Sequence, residues 1–333
     1  MSEQHPPAIA GAGAILIEEN VRERHYPVDS NFSGWRLDRF LSARLARLSR
    51  DKANDIAKHG DVTILPDRRK PKPSTKLQVG EVVVLREHLS PEWIQDAQVE
   101  VLYEDEDLVI VNKPAGMLVH ESASVRLNTI QGFLERHGYA EAEAVHRLDR
   151  ETSGVLICAR TEERVPELRQ LFASDHPDKV YRALALDPDR VWEPGAKRTI
   201  TIPLGTSEGN ELDLRMTRGD SSAITHVVAL GEVEHPTFGR LSDLEVTIET
   251  GRQHQIRVHL EMAGTPIAGD KLYGQTDAFF MATCDRPDDP ELLAELPFPR
   301  HALHAWRLTM PHPRTRKPIT FTAPLPQEIW TPT

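Results

Sequence analysis

"VHRLDRETSGVLICAR", Val145 to Arg160, sets a histidine, two arginines, two carboxylates and two hydroxyls around Leu148 before running into the apolar stretch Val155–Ala159. A short apolar run of this length, free of helix-period spacing, reads as a buried strand. Asp149 lies between Arg147 and Arg150. A carboxylate held by arginine is favoured in its charged form, so its pKa falls and it suits a nucleophile or base rather than a general acid. The plainer reading is a structural ion pair at the strand end, and this stretch by itself leaves both open.

Outward from it, "VEVLYED", "DLVIVNKP", "AVHRLD", "KVYRALAL", "THVVAL" and "LSDLEVTIET" are further strand-length runs rich in Val, Ile, Leu or Tyr. Helices are expected at "TIQGFLERHG" and "EERVPELRQLFAS". Strands outnumber helices without regular βαβ alternation, which predicts an α+β fold on a mixed, mostly antiparallel sheet. "CDRPDDPELLAELPFPR" is broken enough to predict a surface insertion. At 333 residues, the chain exceeds the usual size of one domain. We expect a flexible tail over residues 1–32, a small α/β module over 33–90, a break near Pro91, and the larger domain over 97–328.

The small module is defined by its charge. The whole chain carries −11, yet Trp35 to Leu89 holds thirteen Lys/Arg against seven Asp/Glu, a local +6 in a chain that is otherwise −17. Leu37, Phe40, Leu41, Leu45 and Leu48 form a helical apolar stripe, leaving Arg36, Arg39, Arg47 and Arg50 mostly off it. Ser49 is placed to cap a second helix and Gly60 to end it in a left-handed conformation. "PDRRKPKPSTK" between two strand-like runs cannot be helical and has no apolar surface to cover. Basic residues concentrated on both helices and a loop are the electrostatic footprint of a nucleic-acid-binding surface.

Other classes recede. No apolar stretch approaches the ~20 residues of a membrane helix, and the acidic start lacks the pattern of a leader, so a cytoplasmic location is expected. Cys158 and Cys284 are far apart, and His254/His259 and His301/His304 lack a metal-ligand pattern with acidic partners, so no metal is expected. "GAGAIL" lacks the preceding strand and third glycine of a dinucleotide site. No heptad pattern calls for a dimer, and a monomer is expected.

"HRLDRETSG" resembles the signature of the RluA-type pseudouridine synthases. "NKPAG" (112–116), Lys179–Tyr181 in a Lys-x-Tyr pattern, "TGRQHQIRVHL" (250–260), "GTPIAGDKLYG" (264–274) and "HALHAWRL" also stand in the family's order. The segment Trp35–Leu89 is similar to the S-four-like RNA-binding domain. The resemblance implies isomerisation of uridine to pseudouridine in RNA without a cofactor, because the detached base is both leaving group and returning nucleophile. It implies that Asp149 attacks the anomeric carbon or removes a sugar proton, that Arg257 pairs with Asp149, and that Tyr181 stacks on the uracil. A uridine stacked in a helix must be flipped out, and Arg147 is placed to fill the gap. His146, Lys179 and Arg147, with Arg36, Arg39, Arg47 and Arg50 of the module, are the expected RNA-binding residues. Lys113 is read as part of a turn rather than a phosphate ligand.

The expected substrate is large-subunit ribosomal RNA, with transfer RNA as the alternative. A non-catalytic ribosome-assembly factor and a base-releasing nucleosidase are the rivals from other classes; the second would normally need a protonated partner acid.

Overall fold

A computed structural model describes residues 13–45, 49–67, 69–122, 124–174, 177–206 and 214–330. One compact unit runs Ile17–Glu92, and the second comprises the described residues before it, Gly13–Leu16, together with the chain from Trp93 onward.

The smaller unit is a three-stranded antiparallel sheet, in the order Val21–Pro27, Val82–His88, Asp61–Leu65, with helices Leu37–Arg44 and Arg50–His59. Leu37, Phe40, Leu41 and Leu45 bury the expected stripe with Val62, Ile64, Val83 and Leu85; Leu48 lies outside the described residues. Ser49 Oγ accepts from Lys52 N–H at 3.3 Å, capping the second helix. Gly60 ends that helix with φ −72°, not left-handed as expected. Its glycine is required for another reason: a Cβ there would lie 2.5 Å from the Ile56 carbonyl oxygen.

The first strand falls within the segment expected to be a tail. "VRERHYP" has no apolar alternation, and charge pairing holds it instead. Arg22 faces Glu87 and Glu23 faces Arg86 across the ladder, with Arg86 Nε 2.6 Å from Glu23 Oε2. Opposite charges placed directly across strands stabilise a pair that hydropathy alone would miss.

The larger unit is built on a ten-stranded sheet. Its main path runs Lys197–Ile200, Thr225–His235, Gly239–Ile248, Asp178–Leu186, Leu303–Pro311, Ser153–Ala159, Leu108–Lys113, Glu100–Glu104. The Leu303–Pro311 and Ser153–Ala159 pair is parallel, and the other ladders along this path are antiparallel. This is the mixed, mostly antiparallel α+β architecture anticipated from the sequence.

Ser153–Ala159 is continuously apolar because both its faces are covered. Val155, Ile157 and Ala159 join one core with Leu168 and Leu171 of the helix Val165–Ser174, while Leu156 and Cys158 join the other with Phe133 and Leu134 of the helix Ile130–Arg136. Gly154 lets this strand meet its parallel neighbour: its φ is +115°, and a Cβ would lie 2.2 Å from the Ala305 carbonyl oxygen. Only glycine accommodates both the backbone angle and the approach.

Two sequence expectations change. Of "AVHRLD" only Ala144 lies in a strand, Glu143–Ala144, since Leu148 is the lone apolar residue among the charges that follow Val145, and the rest is loop. The segment expected as a surface insertion holds the short helix Pro290–Leu293, and its end turns inward, burying Leu296, Phe298 and Arg300.

Candidate active site

The loop before Ser153–Ala159 projects Asp149 into a cavity of about 540 Å³ in the larger unit, within the roughly 300–1,000 Å³ of small-ligand sites. Asp149 opens a turn in which its carbonyl accepts from Thr152 N–H at 3.1 Å. Lys113 and the "NKPAG" turn fasten the other side. Gly116 N–H donates to the Arg150 carbonyl at 2.8 Å. The buried Lys113 ammonium donates to the carbonyls of Pro114, Met117 and Arg150. Lys113 therefore shapes the loop and reaches no solvent.

Arg257 comes from the helix Gln255–Met262. Two other polar residues of that helix fix its placement. Gln255 Oε1 accepts from the Thr250 hydroxyl at 2.7 Å, while its Nε2 donates to the Ile224 carbonyl at 2.9 Å. His259 bonds Thr225 Oγ1 and the Ile202 carbonyl, each at 2.9 Å. Thus anchored, the helix aims Arg257 Nη1 at Asp149 Oδ2, 3.1 Å away. The other edge of the guanidinium grips the buried Asp270, Nε to Oδ2 at 2.6 Å and Nη2 to Oδ1 at 2.9 Å. Asp270 Oδ1 also accepts the backbone N–H groups of Leu272 and Tyr273.

The electrostatics follow. Burial opposes charge on Asp149, but the positive groups around it outweigh that and hold its carboxyl below the usual carboxylate range. His254 and His301 are themselves pushed down to about 4, chiefly by burial, so at neutral pH the permanent positive partner is Arg257. Burial likewise opposes charge on Asp270, and Arg257 overrides it. Two ionised carboxylates thus flank one guanidinium, and neither is the protonated acid a base-releasing hydrolase would normally need. Glu151, the next carboxylate along the loop, is paired with Lys271.

Tyr181 and Lys179 enter the cavity from Asp178–Leu186, where a register shift between Val180 and Tyr181 interrupts pairing with Leu303–Pro311. Such irregularities re-aim side chains. Burial, aided by the charge of Asp149, pushes the Tyr181 phenol up, so it is neutral at physiological pH. Lys179 Nζ lies 5.6 Å from the Phe172 ring centroid. His146 stacks on the same ring, centroid to centroid 4.7 Å, and its Nε2 accepts from Ile157 N–H at 3.1 Å. Burial and the charge of Lys179 push His146 down to about 3. His146 lines the cavity, but as an uncharged ring committed to a strand amide it brings no cation to phosphate.

Arg147 is exposed at the cavity wall and makes no hydrogen bond or ion pair among the described residues. In the small unit, Arg36 pairs with the buried Asp38, and Arg39 lies 3.7 Å over the Trp35 ring, both arginines remaining exposed. Arg47 and the side chain of Arg50 lie outside the described residues. Sequence reasoning gave no role in this site to Asp270, Tyr273 or His254, the last weighed only as a metal ligand. Their motifs were visible in "HQIR" and "GDKLYG", without a signal for what they touch.

Among the described residues one group, Asp105, Asp107 and His312, brings metal-type donors together. Its members are already paired: His312 Nε2 with Asp105 at 2.7 Å, and Asp107 with Arg164 and Arg314. The histidines of "HALH" are also committed, His301 Nε2 to Thr152 Oγ1 and His304 Nδ1 to Ser153 Oγ, each at 2.9 Å.

Residues 107–262 match the RNA pseudouridylate synthase family. The chain is 32% identical to ribosomal large subunit pseudouridine synthase D of Zymomonas mobilis, over 89% of this chain and 92% of that one. It is 30% identical to the protein of the same name from Pseudomonas aeruginosa, over 92% and 94%. Human RNA pseudouridylate synthase domain containing 1 shares the fold, with a TM-score of 0.52 and 23% identity over 69% of this chain and 84% of that one.

Proposed function

Given that the chain belongs to the RNA pseudouridylate synthase family, we propose that it isomerises uridines of large-subunit ribosomal RNA, with Asp149 as the reacting group. The enzyme class, an RNA pseudouridine synthase, comes with the family. The ribosomal substrate is the one named for the Zymomonas and Pseudomonas relatives.

One arrangement supports the role of Asp149: an ionised carboxylate facing a cavity of about 540 Å³, held by Arg257, with the neutral Tyr181 ring on the same wall. A carboxylate so held is ready to attack the anomeric carbon or to take a sugar proton. Attack displaces N1 of the uracil from the anomeric carbon with its bonding pair, or loss of the C2′ proton to Asp149 expels it to leave a glycal; the uracil turns, carbon 5 bonds to the anomeric carbon as the Asp149 carboxylate leaves or as C2′ regains its proton, and carbon 5 gives up its proton while N1 gains one. The Tyr181 ring offers a face for the extruded base. Its neutral phenol favours stacking over proton removal in the resting site. Arg147, exposed and without a hydrogen-bond or ionic partner among the described residues, has a flat guanidinium suited to the space the base leaves. The small unit, as an S-four-like domain, supplies sequence-independent attraction to phosphates through its exposed basic residues.

Pseudouridine mapping of total RNA from cells lacking the gene, rescued with wild type or Asp149→Asn, tests this reading. Large-subunit positions lost on deletion and restored by wild type alone are expected. Restoration by Asp149→Asn would remove Asp149 from the chemistry, and lost positions confined to transfer RNA would replace the substrate.

A further inference from the structure

We propose that His254 is a positioning residue for Asp149, held by Tyr273 in the tautomer that turns a ring N–H toward the carboxylate; this rests on Asp149 being the reacting group.

The direction of a hydrogen-bond chain carries the inference. A backbone N–H can only donate. Met216 N–H lies 2.9 Å from the Tyr273 hydroxyl oxygen, which therefore accepts it and must place its own proton elsewhere. Among the described residues the partner in reach is His254 Nδ1 at 3.0 Å. The reverse arrangement, with Nδ1–H donating to the same oxygen, would strand the phenolic proton on a side chain only 1% exposed, and an unpaired buried donor is costly. Nδ1 is thus the acceptor. A neutral imidazole has one N–H, so it resides on Nε2, and Nε2 stands 3.9 Å from Asp149 Oδ2.

That oxygen is the one Arg257 Nη1 already holds at 3.1 Å. Arg257 therefore hydrogen-bonds Oδ2, and the His254 N–H faces the same oxygen from beyond hydrogen-bond distance. Tyr273 braces both donors, since its ring centroid lies 5.1 Å from the Arg257 guanidinium carbon while its hydroxyl fixes His254. The backbone bears the mark of this placement: His254 starts its helix at φ +54°, a left-handed conformation seldom adopted by residues with a Cβ. Outliers of this kind gather at functional sites.

His254 is also suited to hold an anion without quenching it. Asp149 and Asp270 face it with negative charge, Arg257 and Arg147 with positive, and burial dominates, pushing it down to about 4. His301, which also faces Asp149, is likewise uncharged at neutral pH. Across the neutral range His254 is an uncharged donor, and Asp149 keeps its full charge.

Two measurements decide the matter. Long-range proton–nitrogen correlation on the full chain carrying nitrogen-15 histidine reads ring tautomers directly, with His254→Gln assigning the signal. The Nε2–H form is expected in the wild type, with loss of the fixed tautomer in Tyr273→Phe. An Nδ1–H ring in the wild type would overturn the proposal. Single-turnover pseudouridine formation on an unmodified large-subunit RNA transcript, followed against pH, supplies the second readout. His254→Ala should slow the reaction about 10- to 100-fold at pH 7, the scale of a misplaced reacting group. RNA affinity should change little, and the acid limb should move to higher pH because Asp149 has lost a donor. His254→Gln, which keeps an N–H near the Nε2 position, should recover most of the rate and return the limb. If Ala and Gln behave alike, the imidazole only fills space and the proposal fails. A wild type inactive on the transcript would instead defeat the assignment of Asp149, leaving the tautomer to be judged by its own spectrum.

Discussion

The Lys113 ammonium lies 3.1 Å from the carbonyl of Arg150, the residue that follows Asp149, and also bonds the carbonyls of Pro114 and Met117. It is 0% exposed, and burial, reinforced by the charge of Arg300, pushes it down from 10.5 to about 7. Between those values the unfolded chain holds a proton that the folded one has released, so this group makes stability rise with pH across roughly that window. Lys113→Met removes the titration and leaves three carbonyls without their donor, costing about 2–4 kcal/mol near neutral pH. Urea melts of both proteins at several pH values across that window should show wild type gaining on the variant as pH rises. A constant gap would mean that the amine keeps its proton throughout.

Asp270 has no solvent to turn to. Asp270→Asn leaves a buried guanidinium with one ionic partner, and removing one side of a buried pair costs about 3–5 kcal/mol. Turnover should fall together with stability, because Arg257 loses the edge-on grip that aims it. Asp149→Asn, at a half-buried position, should lose turnover with a much smaller change in stability. Denaturant midpoints measured beside single-turnover rates separate the two; equal midpoints would show that Arg257 needs no anchor.

Arg147 is exposed and unpaired among the described residues, so Arg147→Ala should leave stability within about 0.5 kcal/mol of wild type. Modification should slow, and Arg147→Lys should not restore it, because an ammonium keeps the charge but lacks the stacking plane. Fluorescence of 2-aminopurine placed beside the target uridine reports base extrusion directly. A fully active Lys variant would reduce the role of Arg147 to charge.

Lys70, Lys72 and Lys76 are exposed in the basic loop of the small unit. Replacing all three by alanine should leave that unit folded and lower the slope of log affinity against log salt by about 0.7–0.9 for each phosphate no longer neutralised. Filter binding across a salt series measures it. An unchanged slope would take the loop out of the RNA interface.

What the sequence made legible depended on how each feature is encoded. Ser153–Ala159 could be read because burial on both faces writes a continuous apolar run. The stripe Leu37–Leu45 could be read because one buried helix face writes a period. Val21–Pro27 escaped because its strand is held by Arg22–Glu87 and Glu23–Arg86 pairing, which is visible only once the partner strand is known. The site divides in the same way. Asp149, Arg257 and Tyr181 were named through resemblance, and the first two lie within hydrogen-bond distance of each other. Asp270, Tyr273 and His254 were not assigned roles, since those depend on which donor meets which acceptor across a folded interior. His146 was read as an RNA-binding residue and lines the cavity, but the Ile157 amide that occupies its ring nitrogen was not visible in the sequence.

The hydroxyls of Thr152 and Ser153 are bonded to His301 and His304, partners 149 and 151 positions further along the chain. Ribosomes add about 5–20 residues per second, so the loop bearing Asp149 exists for roughly 7 to 30 seconds before the imidazoles that secure it have been made. Through much of that interval Arg257 and Asp270 are also absent, and the nascent chain carries Asp149 without the guanidinium that faces it in the folded structure. An incomplete chain is therefore expected to hold Asp149 in its paired geometry only once residues beyond Asp270 have been made.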